Sequence, residues 1–435
     1  MQTTSLLSSQ RVAQIAQSFN LRDLPPEFYA NPYPIYDLLR EHEPIRRMSD
    51  GSLFLTRHAD LVSVYKDAQT FSSDKQAEFT PKYGNGSPLH EHHTTSLVFN
   101  DPPLHTRVRK IIMGALSRRA IAELEAGLIQ LVEDLLDRIE KKGGGDLIED
   151  FASAIPIEII GNLLGIPHAD RAPLRGWSLA ILGALEPHIS KEQEELGHSS
   201  VHEFKSYLKS LVRERRKHPG DPERDVLTRL IAAEPQLTET ELLQNCIFIL
   251  NAGHETTTNL IGNALIALQE HPQALRQALQ INEHSTQYPR SNIADFALNL
   301  NSDDNSRAWD TAIDEFLRFE SSNQLSNRRA TQDFELAGQH FKAGTLLTLC
   351  IGAANRDRAV FEQPNTLNLA RTPNKHLAFG YGIHQCAGLS LARLEGRIAI
   401  SRFLQRFPKY LLTEIPVRGG RARFRGFLSA AFKTT

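Results

Sequence analysis

Thr238 to Gln269 is the stretch that most restricts the fold of this chain. Thr238-x-x-Glu241 is a capping box that opens a helix, and His271-Pro272 closes it. Cys246, Ile247, Phe248, Ile249 and Leu250 make this helix apolar on nearly all sides, so it belongs inside a large core. A chain of 435 residues can supply one. The helix is interrupted by Ala252-Gly253-His254-Glu255-Thr256-Thr257. Glycine there costs about 1 kcal/mol against alanine, and a buried carboxylate or hydroxyl costs more unless it is hydrogen-bonded. Thr256 can bond back to a carbonyl one turn earlier and loosen the helix, which makes room for oxygen and water. Alternatively, the stretch is a kinked core helix with a buried polar patch. His254-Glu255 is not a zinc-protease helix, because position 258 is Thr and not His.

A second stretch, His376 to Gly388, carries Cys386 behind a glycine-spaced loop and directly before a helix expected over 387–407. Unpaired amides and the positive helix end favour a thiolate there. Gly380 and Gly382 let the backbone bend close to the sulfur. Such a thiolate suits haem iron. No second cysteine lies nearby to complete a zinc site.

The run Phe379-Gly380-x-Gly382-x-His384-x-Cys386-x-Gly388 resembles the haem-binding signature of the cytochrome P-450 family. The resemblance extends from about Asn31 to the C-terminus. It implies a mainly α fold with a small β part, with haem b between the long central helix and the cysteine-loop helix. It implies Cys386 as the iron ligand, with Phe379, Gly380 and Gly388 shaping its loop and Ala252 lying over the haem. It assigns proton delivery to Glu255 and Thr256, an acid and an alcohol. Four positions match the family's propionate ligands: His105, Arg109, Arg328 (or its neighbour Arg329) and His376. Glu315-Phe-Leu-Arg318 resembles the family's Glu-x-x-Arg pair, which buttresses the cysteine loop. The arginine that often completes that pair would fall at Thr366, so the third member is missing there.

The implied function is a haem-thiolate monooxygenase that inserts one oxygen atom of O2 into a small, largely apolar organic substrate, by hydroxylation or epoxidation. No fused flavin or iron–sulfur domain is visible, so a separate ferredoxin or flavodoxin with its reductase is expected to supply electrons. Arg107, Lys110, Arg356 and Arg358 are candidates for its docking face. A peroxide-driven peroxygenase is an alternative, but it is expected to lack the acid–alcohol pair. A non-catalytic haem sensor or carrier is another, but a proton relay serves no purpose in one. Candidate pocket residues are Phe248, Asn251, Gln324, Asn327 and Phe427, with the 70–100 segment and Trp177–Leu185. Asn251 stands where an aliphatic residue is the ordinary choice. It bonds either a polar group of the substrate or a neighbouring loop.

Formal net charge is −2, which gives no case for nucleic-acid binding. Three cysteines suit a reducing compartment, and residues 1–20 lack a long apolar run. A cytoplasmic monomer without a membrane anchor is expected. Residues 1–20 read as a flexible polar arm before a single catalytic domain over 21–435. Residues 70–100 read as an irregular loop, within which His90, Glu91, His92 and His93 are solvated rather than metal-binding. The polar stretch 281–310 reads as a surface insertion, with a short helix near Ile293–Leu298. Strands are expected at Ile45–Met48, Leu53–Thr56, Phe334–Gly338 and Leu346–Cys350.

Overall fold

The computed structural model describes residues 8–222, 225–233, 237–285 and 303–434. Its centre is the helix Glu239–Glu270, opened by the reciprocal capping box of Thr238 and Glu241. The helix is buried along most of its length, from Leu242 to Leu268. Gly253 has a packing reason: a Cβ there would lie 2.4 Å from Ile160 Cδ1, on the helix Ala154–Leu163. The helices Arg118–Lys142, Leu174–Gly183, Lys191–Lys217 and Leu389–Arg406 pack around this centre. Together their apolar faces form one continuous core.

The small β part is a five-stranded sheet in the order Ile45–Arg47, Leu53–Leu55, Leu346–Cys350, Leu325–Ala330, Phe71–Ser72. Its first hairpin turns at Asp50-Gly51, where Gly51 adopts φ +81° and Asp50 Oδ1 accepts from Ser52 N at 3.0 Å. Leu325–Ala330 pairs antiparallel with Leu346–Cys350, with Arg328 opposite Leu347. A three-stranded sheet joins Gly144–Asp146, Ala431–Lys433 and Leu411–Leu412.

Three expectations change. Residues 8–20 are not a loose arm. Ser9–Gln17 is a helix capped by Ser8, and Val12, Ile15, Ala16 and Phe19 are buried in a cluster with Phe28, Tyr36 and Phe54. Residues 70–100 are not an irregular loop but two helices, Gln76–Tyr83 and Pro88–Thr95. Ser87 caps the second and Pro88 takes its first position, where the missing N–H costs nothing. His90, His92 and His93 are therefore buried rather than solvated. Among the described residues no group of three or more His, Cys, Asp or Glu could hold a metal ion. The surface insertion falls mostly outside the described residues, together with the helix expected at Ile293–Leu298. Its two ends belong to the helices Pro272–Ser285 and Asp303–Phe319.

Candidate active site

The cysteine loop is a tight backbone fold. Cys386 N donates to Phe379 O at 2.8 Å and Gly380 N to Leu377 O at 2.8 Å. Gly380 and Gly382 adopt φ +65° and +72°, and a Cβ at Gly382 would stand 2.3 Å from the Tyr65 carbonyl oxygen. Gly388 precedes the helix Leu389–Arg406. Burial pushes the Cys386 thiol up, while the Gly388 N–H and the charges of Arg109 and Arg393 pull the other way. The expected thiolate preference is thus reversed in the protein alone. A bound metal deprotonates a coordinating thiol outright.

Behind the loop lies a polar network around a fully bonded Glu315–Arg318 pair. Arg318 Nε and Nη2 donate to the two Glu315 oxygens at 2.7 and 2.9 Å, with both side chains fully buried. Arg318 Nη1 reaches the Asn355 and Pro364 carbonyls at 2.9 and 2.8 Å. Asn355 Oδ1 in turn accepts from Leu377 N at 2.7 Å, at the start of the cysteine loop. The third member, missing at Thr366, is Arg371, whose Nε lies 3.2 and 3.0 Å from the Glu315 oxygens.

Beside the cysteine loop, His105 and Arg109 lie one turn apart on the helix Leu104–Ala115. His105 is buried and neither ring nitrogen has a partner. Its ring sits 4.2 Å from that of His384. Burial and the charges of His384 and Arg109 push His105 down to about 4. Arg328 is buried with its guanidinium 5.3 Å over the Tyr65 ring, and it makes no ion pair among the described residues. Arg329 is half-buried and lies opposite Ser72 in the sheet. Arg328 is the more buried of the two. Arg328 Nη1 donates to Asn327 O at 2.8 Å, but a guanidinium without a carboxylate and an imidazole without a partner fit the carboxylates of a haem. His376 fits less well. Its Nε2 faces Asp314 at 3.2 Å and its Nδ1 accepts from Ala378 N at 3.2 Å, so both nitrogens are engaged.

Across the cleft, Phe248, Ala252 and Thr256 form a stripe four residues apart on the central helix. Ala252 is exposed although the helix is otherwise enclosed. Thr256 Oγ1 donates to Ala252 O at 2.7 Å, the back-bond anticipated from sequence. Glu255 turns elsewhere. Its Oε1 accepts from Arg421 Nη1 at 2.6 Å and its Oε2 has no partner. Burial pushes this carboxyl up to about 7 despite Arg421. Glu255 lines a cavity of about 20 Å³ with Arg175, His254, Asn259, Arg421 and Phe427, large enough for one water.

The remaining pocket candidates divide. Phe427 lines this cavity rather than the cleft stripe. Gln324 is a core residue, not a pocket one: its Nε2 donates to Ser321 O at 2.7 Å, and its Oε1 packs against Gly352. Asn327 is committed at both ends, to Thr348 Oγ1 at 2.9 Å and to Arg423 Nη2 at 2.5 Å. Asn251 bonds a neighbouring element, His92 Nε2 at 3.3 Å, while its Oδ1 is unpaired. Sequence reasoning missed His92, Arg371, His384 and Arg421 as site residues. Arg371 carried a usable signal, since it stands five residues beyond Thr366 and two before Pro373.

The family model "Cytochrome P450" matches residues 185–414. The chain is similar to the polyketide biosynthesis cytochrome P450 PksS of Bacillus subtilis (34% identity, covering 90% of this chain and 92% of that one). It is similar also to the biotin biosynthesis cytochrome P450 of the same organism (32%, 90% and 93%). The crystal structure of P450BioI with a hexadec-9Z-enoic acid ligated acyl carrier protein superposes with a TM-score of 0.83 at 31% identity, covering 94% of this chain and 100% of that one. Among the described residues no helix is long and apolar enough to cross a membrane.

Proposed function

The chain belongs to the cytochrome P450 family, and we propose from its own residues how it works as the haem-thiolate monooxygenase that this membership makes it. Haem b, when bound, supplies an iron that activates O2 and passes one oxygen atom to the substrate. Cys386 would hold that iron through its sulfur. His105, Arg109 and Arg328 would hold the propionates, with His384 beside His105 in place of His376, whose two ring nitrogens are engaged. Thr256 places its hydroxyl on the cleft wall. Glu255 brings protons from the side of Arg421 through a water in the adjoining cavity. A carboxyl that titrates near 7 can both hold and release a proton at working pH.

A separate redox partner supplies the electrons, a ferredoxin or flavodoxin with its reductase. Lys110 and Arg358 are exposed and suit its docking face. Arg107 is half-buried against Glu241 at 2.7 Å. Arg356 drops out, because its guanidinium is buried 3.5 Å over Tyr33 and 4.0 Å over Phe319. The substrate is a small, largely apolar molecule. The fatty acyl group held in the similar carrier-protein complex supports an aliphatic chain.

One observation carries the assignment of the site. Arg109 lies near enough to both Cys386 and His105 for its charge to act on each, His105 has two unpartnered imidazole nitrogens, and the buried Arg328 makes no ion pair among the described residues. The test is the absorption spectrum of the dithionite-reduced protein under carbon monoxide. A Soret band shifted strongly to the red is expected, and it should be lost in Cys386→Ser. An unshifted band in the unmodified protein would remove Cys386 as ligand.

A further inference from the structure

Asn251 sits one residue before Ala252, at the edge of the cleft stripe, and is 2% exposed. Its hydrogen-bonded neighbours form a chain that begins at the surface. Lys205 Nζ and Gln244 Nε2 both bond Glu91 Oε1. Gln244 Oε1 then faces His92 Nδ1 at 2.9 Å, and His92 Nε2 faces Asn251 Nδ2 at 3.3 Å.

This chain runs in one direction. Burial raises the Glu91 carboxyl, but the bonds from Lys205 and Gln244 hold it below its ordinary value. At neutral pH it only accepts. Gln244 must therefore turn its NH2 to Glu91 and its carbonyl to His92. His92 Nδ1 must then be the protonated nitrogen. Ser96 agrees: its hydroxyl donates to His92 O at 2.6 Å, which leaves an oxygen lone pair for Nδ1 at 3.3 Å. Burial pushes His92 down to about 4, so the ring is neutral and Nε2 is an acceptor. Asn251 must give it an N–H. Its amide cannot flip, and its unpaired Oδ1 is turned away from His92.

We infer that Asn251 offers the substrate an amide oxygen, held in that orientation by Glu91, Gln244 and His92 as positioning residues, and that the site selects an apolar molecule bearing a hydroxyl or N–H donor. This deepens the apolar-substrate reading above and rests on it. A buried carbonyl oxygen without a partner is costly, and a ligand donor removes that cost. A ligand that presents only acceptors meets oxygen with oxygen and gains nothing. Discrimination here follows the general asymmetry by which a site built for a hydrogen bond rejects the analogue lacking it.

The test uses calorimetric titration of the holoenzyme with 1-decanol and with 1-methoxydecane, which share the apolar chain and differ in the donor. The alcohol is expected to bind about tenfold tighter, the worth of one hydrogen bond to a buried neutral group. Asn251→Leu should bring the two within about threefold of each other, by loss of that bond. Glu91→Gln lies near the surface and leaves the core intact. It should shrink the ratio, because an amide at 91 accepts either polarity of the chain. Equal binding in the unmodified protein, or a ratio that survives Asn251→Leu, overturns the inference and leaves the apolar pocket standing. Failure of both compounds to bind removes the apolar reading itself, and this inference with it. A second readout needs no ligand. The 15N shifts of labelled His92 in the reduced carbon monoxide complex should report a protonated Nδ1. A protonated Nε2 would reverse the chain and overturn the assignment.

Discussion

The Glu315–Arg318 pair behind Cys386 and the central helix treat buried polar atoms in opposite ways. Behind Cys386, Glu315 accepts bidentate bonds from Arg318, together with bonds from Arg371, Asn368 N and Asn374. On the central helix, Glu255 Oε2, Asn251 Oδ1, Thr258 Oγ1 and both nitrogens of His254 have no partner. A saturated network in a low-dielectric interior fixes one geometry. Unpaired groups are tolerated where a ligand or water completes them. The Glu315–Arg318 pair is thus built to stay still, and the central helix is built to be finished by what binds.

Breaking the saturated side should have the largest effect. Glu315 and Arg318 are both fully buried, so removing either strands a charge. Arg318→Leu is expected to cost about 3–5 kcal/mol, measured by urea unfolding, with loss of haem from much of the preparation. Arg371→Ala should cost less, about 1.5–3 kcal/mol for bonds to a charged group. Thr366→Ala should change little, since Thr366 enters the network only through its carbonyl. If Thr366→Ala proved as costly as Arg371→Ala, the network would have been drawn around the wrong residue.

The unsaturated side is sharpened by pH. Glu255 titrates near 7, above the ordinary 4.5 of its type. A raised carboxyl favours the fold while protonated. Its contribution is fully present below about pH 4.5 and is lost as pH rises through about 7, on the order of 3 kcal/mol in all. Unfolding free energies at pH 5 and pH 8 should therefore diverge more in the unmodified protein than in Glu255→Gln. Arg421→Met removes the guanidinium that lowers this carboxyl, and its midpoint should rise further, by about one unit or more. Equal pH dependence in all three proteins would mean that Glu255 is not buried as described.

The unequal legibility of the two regions has the same origin. The cysteine loop is one contiguous run whose glycines, cysteine and following helix act on one another directly, and its outline was readable in the sequence. So were the capping box at Thr238 and the back-bond of Thr256, which are local too. His92 was not. Its burial comes from Gln244 and Asn251, which lie 152 and 159 positions away. The start of its helix, Ser87-Pro88, is set among glycines and prolines that read as loop. Arg421 reaches Glu255 from 166 positions away. A long-range ion pair leaves no spacing to read, whereas Glu315 and Arg318 announce themselves by lying one turn apart.

The smallest effect belongs to the surface, and it separates charges that look alike in sequence. Lys110 is exposed, and Arg358 is exposed beside Glu41 at 3.7 Å. Arg356, two residues from Arg358, is stacked between Tyr33 and Phe319. Charge reversal at Lys110 or Arg358 should slow reduction by the donor by about two- to tenfold at low salt, with the difference vanishing at high salt as screening removes steering. Stopped-flow reduction at two ionic strengths measures this. Arg356→Ala should behave as a core substitution, lowering unfolding stability at either salt with no salt-dependent change in association. If Arg356→Ala instead altered only the salt-dependent rate, its guanidinium would have to reach solvent, and the aromatic stack that holds it would be wrong.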